Sequence, residues 1–583
     1  MSDWKNAYEA MKKDLDLDDD AIGVFAVNLK FNLDDFKNTA SEALTGGGDD
    51  KKCDLIYIDK ERKLAVIAQC YMAQGIKQSA PANKASDLNT AVTWLLSAQL
   101  EKLPVAIRGH ASELRAAIVS KDIEQINVWY VHNCPASKNV ADELVTVEGT
   151  TRALLKNYEN GDEVSIAALE VSSDQIQHLY KQAEQTIIVT NVFELQVGDA
   201  LEVKQTDWSS VVTYIRGSWL KELYSQFGTD LFSANLRGYL GSRESDANIN
   251  NNIKNTAADE ANNFFVYNNG ITAIVLDYDL AKRTKSGRKL TITGLSIVNG
   301  AQTTGSIGSL TETIPDDLIV AVRFIKAKQN PIIAKVVRFN NSQNKLQAAD
   351  FRSTDPIQDR LRTEFLKIPN AEYEGGRRGG ASDAIKRSKY ALPSYTVAQA
   401  LAAFHGDPVT AYDSKSELWI NEARYRRIFT DRTTAGHIVF CYSLLEHINA
   451  TKSGLVKMGR LNPETQTDAD RKKLNFLSQK GSNYLLMFAI SQCMETILSR
   501  PIPNKFDLQF GDSVSPEKAT VIWQPIIEMM LSLSIQLEGA FSRSRIFSEG
   551  VEATVPQFVG VIESLKDVHE DRFSNFAQNV ASF

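Results

Sequence analysis

Cysteine and histidine are sparse in this sequence, and their spacing excludes several classes of site. The five cysteines and seven histidines among the 583 residues are scattered, with no C-x-x-C, H-E-x-x-H or H-x-x-x-H pair. Zinc sites made by proteins depend on such close pairs, so we expect no zinc finger and no zinc-protease centre. An odd number of dispersed cysteines also argues against a disulfide framework and fits a reducing cytoplasm.

Long apolar runs and a basic leader are missing as well. Residues 1–5 carry neither the charge nor the apolar segment of a signal peptide. No apolar run approaches the length that spans a bilayer. We therefore expect a cytoplasmic protein with no membrane partner.

Positive charge is not in excess, because the net charge is −7. Binding of a polyanion would therefore need a local basic patch. The hydrophobic fraction of 43% and the charged fraction of 23% are ordinary for globular proteins. A chain of this length exceeds a single core, and its mixed patterns predict an α/β (α+β) multidomain protein.

The amino-terminal part changes from helical to strand periodicity after the glycine run 46–48. A predicted helix, 33–44, is followed by apolar strands at 54–59 and 64–71, joined by a charged turn. Asp54 begins the first strand, and Gln69 lies near the end of the second. This order resembles the core of PD-(D/E)xK (Mrr-like) nucleases. The resemblance implies Mg²⁺ or Mn²⁺ held by Asp54 and Gln69, with Asp50 as a further oxygen ligand.

One position departs from that motif. The resemblance requires a lysine two residues after Gln69, but Tyr71 stands there, and the nearest replacement is Lys77. A tyrosine cannot place a point cation beside a phosphate or a water. Three interpretations stay open: an active nuclease with catalytic Asp54, Gln69 and Lys77, a degenerate nuclease fold kept for binding, or an unrelated α/β module. The last two imply no cofactor.

Three asparagine-rich segments lie at the ends of predicted elements in the central region. Knot 1 is Tyr267–Thr272, knot 2 is Ile297–Thr304 and knot 3 is Arg338–Lys345. We predict strands at 264–267, 271–278 and 290–298, a helix after knot 2 and a helix at 330–339. Asparagine, glutamine and glycine at such ends form turns and expose amides. Each knot alone is typical of an Asx turn, whereas three together indicate a polar site.

The knots belong to a longer ordered pattern. F-x-x-N-x-R-x-x-L-G begins at Phe232, and N-S-Q-N-x₅-D-F-R begins at Asn341. In order and spacing these motifs closely resemble the AIPR family, the abortive-infection phage-resistance proteins of bacteria, over residues 205–430. The resemblance implies a bacterial anti-phage defence protein, often with a nuclease-like module at its amino terminus.

The motif residues are predicted to form one site for nucleic acid or a nucleotide: Asn235, Arg237, Asn268, Asn269, Asn299, Gln302, Thr303, Asn341, Gln343, Asn344, Asp350 and Arg352. Arginines clamp phosphates, and amides recognise base edges or ribose. Knot 2 is also similar to ParB- and DGQHR-type folds, in which a glycine turn opens a helix that binds an anion. The ParB-type arginine is absent, so we expect only an anion pocket. The alternative is an amide network that locks the loops.

Three further patterns complete the sequence. Residues 323–389 are basic, and their loop holds Arg377 and Arg378 between Tyr373 and Tyr390, so it could follow a phosphate backbone, with the aromatics available for stacking, or be a solvated loop. Beyond Thr396 the periodicity is helical, with a polar linker expected at 451–470. The acidic run 14–20 is typical of a solvated helix end.

These patterns divide the chain into a nuclease-like module at 1–120, a continuation of its sheet or a connector at 121–205, a central domain at 206–390 and a helical domain at 391–583. They support three hypotheses. The chain is a defence protein that binds DNA or RNA, a nucleotide-sensing or nucleotide-processing enzyme that uses the central site, or a scaffold that recruits a partner defence protein. A homo-oligomer is compatible with each.

Overall fold

The computed structural model describes most of the chain. The described residues are 3–33, 35–45, 50–184, 187–235, 253, 256–257, 260–285, 287–310, 313–327, 332–333, 336, 349, 352, 355–373, 375, 388–511 and 513–581.

The amino-terminal module is a four-stranded sheet between two layers of helices. Its strands are β1 (Leu55–Asp59), β2 (Leu64–Tyr71), β3 (Gln125–His132) and β4 (Ser165–Val171), side by side in that order. β1 pairs antiparallel with β2, and the other neighbours are parallel. The helices are α1 (Asp3–Asp14), α2 (Ala21–Phe31), α3 (Phe36–Ala43), α4 (Ala82–Ser97), α5 (Val105–Val119), α6 (Lys138–Leu155) and α7 (Ser173–Glu184).

Burial on both faces explains the continuous apolar run of β2. Leu64, Val66 and Ala68 join a core with α1, α2 and α7, whereas Ala65 and Ile67 join a core with α4, α5 and α6. Parallel strands covered on both sides are expected to be apolar throughout. The sheet continues beyond residue 120 through β3 and β4. The last part of the segment 121–205 does not belong to it, because residues 189–197 and 201–204 pair in a second sheet.

The central region contains a second sheet. Its strands are β5 (Val189–Val197), β6 (Leu201–Lys204), β7 (Trp208–Arg216), β8 (Ile271–Val275), β9 (Asp277–Leu280), β10 (Arg288–Asn299) and β11 (Ile319–Ala327). The order is β5-β10-β8-β11-β7-β6, with β9 also paired to β10. Its helices are α8 (Gly217–Phe227), α9 (Phe264–Tyr267) and α10 (Ala301–Gly308).

Two predicted strands of this region differ in the structure. Residues 264–267 form the helical turn α9 instead of a strand, because the backbone N–H and side-chain amide of Asn268 both donate to the carbonyl of Phe264. The strand predicted at 271–278 divides into β8 and β9. The division follows a bulge in β10 at Gly294, which adopts a φ of 68°.

The carboxyl-terminal part is helical, as predicted. Its helices are α11 (Pro356–Phe365), α12 (Ser394–Phe404), α13 (Pro408–Asp413), α14 (Glu417–Ile420), α15 (Glu422–Ile428), α16 (Ala435–Leu461), α17 (Asp468–Leu477), α18 (Ser482–Gln492), α19 (Met494–Leu498), α20 (Pro516–Ser532), α21 (Ser548–Ser564) and α22 (Glu570–Ala577). Two-residue strands β12 (Glu372–Tyr373), β13 (Ala391–Leu392), β14 (Phe541–Ser542) and β15 (Arg545–Ile546) pair locally.

One prediction for this part is wrong and another needs extending. A polar linker was expected at 451–470, but α16 continues through this segment to Leu461. On this helix, Lys457 and Arg460 form ion pairs with acidic residues of the amino-terminal module. The hydrophobic core of the helical part also includes Leu361 and Phe365 of α11, which precede the boundary predicted at residue 390.

Polar contacts join the amino-terminal module to the helical part. The Thr396 hydroxyl donates to Asp35 at 2.7 Å, and the Asn449 amide donates to Asn38 at 2.9 Å. All four residues are buried. Buried polar groups are tolerated when each finds a partner, so these bonds fix how α3 lies against α12 and α16.

Among the described residues, no single helix has the length and apolar character needed to cross a membrane. One bent pair, Pro516–Ser532 with Ser534–Ala540, meets the criterion by length and composition only.

The Glu446 carboxyl at this junction provides a test of its electrostatics. Burial raises the pKa of Glu446 to about 7, although Lys37 lies 3.5 Å away and opposes the rise. A raised carboxyl pKa contributes stability that is fully present below the unfolded-state pKa and is lost as pH rises through 7. We expect Glu446→Gln to raise the free energy of unfolding at pH 8, on the order of 1–3 kcal/mol, and to have little effect at pH 5.

Chemical denaturation of the full chain at both pH values measures this effect. Glu552→Gln, an exposed residue of α21, is the matched control and should change neither value. Equal destabilisation by Glu446→Gln at both pH values would show that the Lys37 ion pair outweighs burial.

Candidate functional site

Asp54 and Gln69, the two residues predicted to hold a metal ion, meet at one edge of the amino-terminal sheet. Asp54 directly precedes β1 and Gln69 lies near the end of β2, so the antiparallel pairing places them side by side. The Gln69 Nε2 donates to Asp54 Oδ2 at 2.5 Å, and the backbone N–H of Cys70 donates to the same oxygen at 2.7 Å. Asp54 and Gln69 are only 5% and 6% exposed. The structure therefore brings the two predicted ligands together in a water-poor place.

Burial dominates the electrostatics of Asp54. It raises the pKa of this carboxyl to about 7, and the nearby Asp50 carboxylate adds to the rise. The hydrogen bond from Cys70 and the charge of Lys84 oppose it. Asp50 itself accepts a hydrogen bond from the Lys52 N–H at 3.0 Å. A buried carboxylate of this kind gains free energy from any cation placed against it.

The surrounding groups fit a hard divalent cation. The Gln69 Oε1 is buried without a hydrogen-bond partner, which is unusual for an amide oxygen. An oxygen of Asp20, an oxygen of Asp54 and the Cys70 Sγ lie within 4.8 Å of one another. Burial and the Asp54 charge raise the pKa of the Cys70 thiol, so Cys70 stays protonated, and oxygen is the preferred donor for Mg²⁺ and Mn²⁺.

Tyr71, at the position of the motif lysine, gathers two lysines around its ring. The Lys77 Nζ lies 2.5 Å from the Tyr71 hydroxyl and 5.2 Å from the ring centroid. The Lys84 Nζ, in the first turn of α4, lies 5.3 Å from the same centroid. Lys77 is fully exposed, whereas Lys84 is half-buried and its charge acts on Asp54. Lys84 is thus a second source of positive charge that the motif spacing did not indicate.

Knots 1 and 2 are packed against each other in the central sheet. Gly300 adopts a φ of 97° between β10 and α10, and a Cβ there would lie 2.4 Å from the Ile271 Cγ2. Gly270 adopts a φ of 71°, and a Cβ there would lie 2.4 Å from the Ala321 carbonyl oxygen. Glycine alone fits both positions, because an L side chain would be strained in φ and too close to its neighbour.

Three polar residues form a row across adjacent strands beside these turns. Asn299 of β10 pairs with Thr272 of β8, which pairs with Arg323 of β11. The Arg323 Nη2 donates to Thr272 Oγ1 at 3.2 Å. The row runs from this guanidinium to Asn299, which lies two residues before α10. Unpaired amides and the helix dipole attract anions at the amino end of a helix. Arg323 was not among the predicted site residues.

The other predicted residues of knots 1 and 2 have different exposures. Asn269 and Asn299 are exposed, Gln302 is half-buried and Thr303 is buried. Asn268 caps α9 through its amide, at 3.2 Å from the Phe264 carbonyl.

Much of the remaining prediction lies outside the described residues. This applies to Arg237, Asn341, Gln343, Asn344, Asp350, Arg377 and Arg378, and to the side chain of Asn235. Ile333 and Val336, just before knot 3, pack against Ile274 of β8 and Val298 of β10. This contact places Ile333 and Val336 beside knot 2.

Two predicted contributors lie in the helical part instead. The guanidinium of Arg352 bonds to Glu422 at 2.6 Å and to the Trp419 carbonyl at 3.1 Å, and it covers the Tyr425 ring at 4.6 Å. A phosphate clamp by Arg352 would require it to leave these partners. Tyr373 is 6% exposed, with its hydroxyl on Gln358, so the prediction that it offers a stacking surface is wrong.

The prediction that the acidic run 14–20 is a solvated helix end is wrong for Asp20. Asp20 is 5% exposed and lies at the Asp54 site, although its neighbours in sequence are consecutive acids typical of a solvated loop. The signal for its burial was the apolar helix α2, which begins at the next residue and is almost wholly buried.

The family model described as AIPR protein matches residues 232–518. This match supports the resemblance drawn from the central motifs, and it extends into the helical part. It does not include the amino-terminal module. Neither the curated proteins nor the solved structures contain a match.

The strained turn at Gly300 gives a test of the central geometry. We expect Gly300→Ala to lower the free energy of unfolding by about 1–3 kcal/mol, because the new Cβ meets Ile271 at a φ unfavourable for alanine. Gly149→Ala is the matched control: this exposed position in α6 has open space, so alanine should stabilise it by about 0.5–1 kcal/mol. Denaturant unfolding measures both. Similar effects of the two variants would contradict the packing of knot 2.

Proposed function

Because residues 232–518 match the AIPR family model, we propose that this chain is an abortive-infection protein that acts in defence against phage. We further propose that its amino-terminal module holds a divalent cation and cuts nucleic acid. The observation that carries this second part is the buried pair of Asp54 and Gln69, whose amide oxygen lacks a partner.

Each residue has a defined task in this proposal. The Asp54 carboxylate and the Gln69 amide oxygen hold the cation, and Asp50 contributes at the rim. A rotation of the Gln69 amide exchanges its oxygen and nitrogen, which turns the present donor to Asp54 into a second oxygen ligand. Bound Mg²⁺ or Mn²⁺ would polarise a phosphate oxygen and acidify a water.

The lysines around Tyr71 take the part of the missing motif lysine. Their ammonium groups lie on the ring beside the end of β2, where a phosphate backbone would approach. Lys84 is the better placed of the two, because its charge already acts on Asp54. An ammonium group there neutralises negative charge on the phosphate that is cut.

A cleavage assay with the full chain tests this function. Plasmid, single-stranded DNA and RNA are incubated with Mg²⁺ or Mn²⁺. We expect metal-dependent cutting that falls about a hundredfold or more in Asp54→Asn, because a ligand of the cation is lost. Asp142→Asn, an exposed carboxylate on α6 of the same module, is the control and should cut as the unaltered chain does.

The other outcomes separate the alternatives. Binding without cutting would indicate a degenerate nuclease fold. Cutting that survives Asp54→Asn would remove Asp54 from the site. Neither binding nor cutting would favour the nucleotide or scaffold hypotheses.

A second candidate function is binding of a phosphate-bearing ligand at knot 2. The row of Asn299, Thr272 and Arg323 favours it, because it joins a guanidinium to the amino end of α10. Arginine binds phosphate through paired N–H groups, and amides recognise the sugar or base. Nucleic acid and a free nucleotide share this chemistry.

Substitution of Arg323 tests this candidate. We expect Arg323→Gln to weaken binding of single-stranded DNA or ATP about tenfold, since one charge-assisted contact is lost, with little change in melting temperature. Arg283→Gln removes an exposed arginine paired with Asp199 and is the control. Fluorescence anisotropy at several salt concentrations measures affinity, and strand binding should weaken with salt. Equal binding by the two variants would place the ligand elsewhere.

A further inference from the structure

An arginine from the helical part reaches the edge of the proposed cation site. Arg460 lies near the carboxyl end of α16, and its Nη1 is 3.2 Å from Asp18 Oδ2. The same nitrogen forms an ion pair with the Asp20 carboxylate. The Asp20 side chain is 7% exposed and that of Arg460 is 30% exposed, so this pair is only weakly screened by solvent.

Asp20 also faces the proposed cation. One of its oxygens lies within 4.8 Å of an Asp54 oxygen. A group of acids alone does not define a site. Here the buried and unpartnered Gln69 Oε1 is a second, independent feature of the same place, because the Gln69 amide touches Asp54. Asp20, Asp54 and Gln69 together offer three oxygen ligands, which suits a hard cation.

We propose that Asp20 is a ligand of the divalent cation and that the guanidinium of Arg460 competes with that cation for Asp20. This inference rests on the proposed function of the Asp54 site and adds a control over it. While Arg460 pairs with Asp20, the site has one negative charge less to offer, so its affinity for the cation is lowered. A displacement of the end of α16 would release Asp20 and raise that affinity.

A neighbouring lysine supplies the matched control. Lys457, three residues before Arg460 on the same helix, pairs with Asp16 in the same acidic run. The Asp16 side chain is 86% exposed and is not part of the group that contains Asp20 and Asp54. Removing the Lys457 charge therefore disturbs the same junction between α16 and the acidic run without freeing a ligand.

Titration of Mn²⁺ into the full chain, followed by calorimetry or by the electron paramagnetic resonance signal of free Mn²⁺, tests the proposal. We expect Arg460→Gln to bind Mn²⁺ about tenfold more tightly, because a unit charge a few ångströms from the ligand is removed. Lys457→Gln should bind as the unaltered chain does. Asp20→Asn should bind about tenfold more weakly, and Arg460→Gln should have no effect in its presence, since the two residues act on each other.

The results that would overturn the proposal are distinct from those that would overturn the Asp54 site. Unchanged or weaker binding by Arg460→Gln, with binding still abolished by Asp54→Asn, removes the competition and leaves the site intact. Binding that no variant alters, Asp54→Asn included, removes both. Arg460→Met keeps the apolar stem of the side chain and removes the charge, so agreement between the two Arg460 variants, with unchanged melting curves, separates lost charge from lost folding.

Discussion

The hydrogen bonds accepted by the buried Asp54 carboxylate connect the two strands that form the proposed site of the amino-terminal module. Two donors, the Gln69 amide and the Cys70 N–H, converge on one of its oxygens and tie the start of β1 to the end of β2. Those bonds do not fully balance a charge removed from water, and the raised pKa of Asp54 expresses the remaining cost. Sequence, sheet pairing and burial together thus produce a buried carboxyl group, and the proposed cation site depends on it.

The second constraint is that this place is not isolated from the rest of the chain. The acidic run between α1 and α2 lies between the Asp54 site and α16, with Asp20 on one side and Arg460 on the other. The buried bonds of Asp35 and Asn38 hold α3 to the same helical part. Through these contacts, a displacement of the helical part would act directly on the residues around Asp54.

Local patterns foretold the fold better than they foretold the site. The strands β1, β2 and β10 follow directly from apolar periodicity, which is a local property of the sequence. The proximity of Asp54 and Gln69 was predictable because a short charged turn joins β1 to β2. The roles of Asp20, Arg323 and Arg460 were not predictable, because each depends on a contact that is distant or set by another element. Asp20 is buried where the apolar helix α2 begins, and Arg323 bonds to Thr272, fifty-one residues away in a parallel strand. Arg460 reaches Asp20 from a helix in another part of the chain.

Tyr71 stands where the nuclease motif has a lysine, but the spacing of a motif does not by itself show where positive charge lies in the folded chain. A phosphate responds to the position of an ammonium group and not to the residue number that supplies it. A tyrosine ring attracts ammonium groups, and the Nζ atoms of Lys77 and Lys84 both lie over the Tyr71 ring, at the position predicted for the lysine. Lys84 comes from the first turn of α4, which packs against β2. The fold therefore supplies positive charge at the end of β2, although residue 71 itself is a tyrosine.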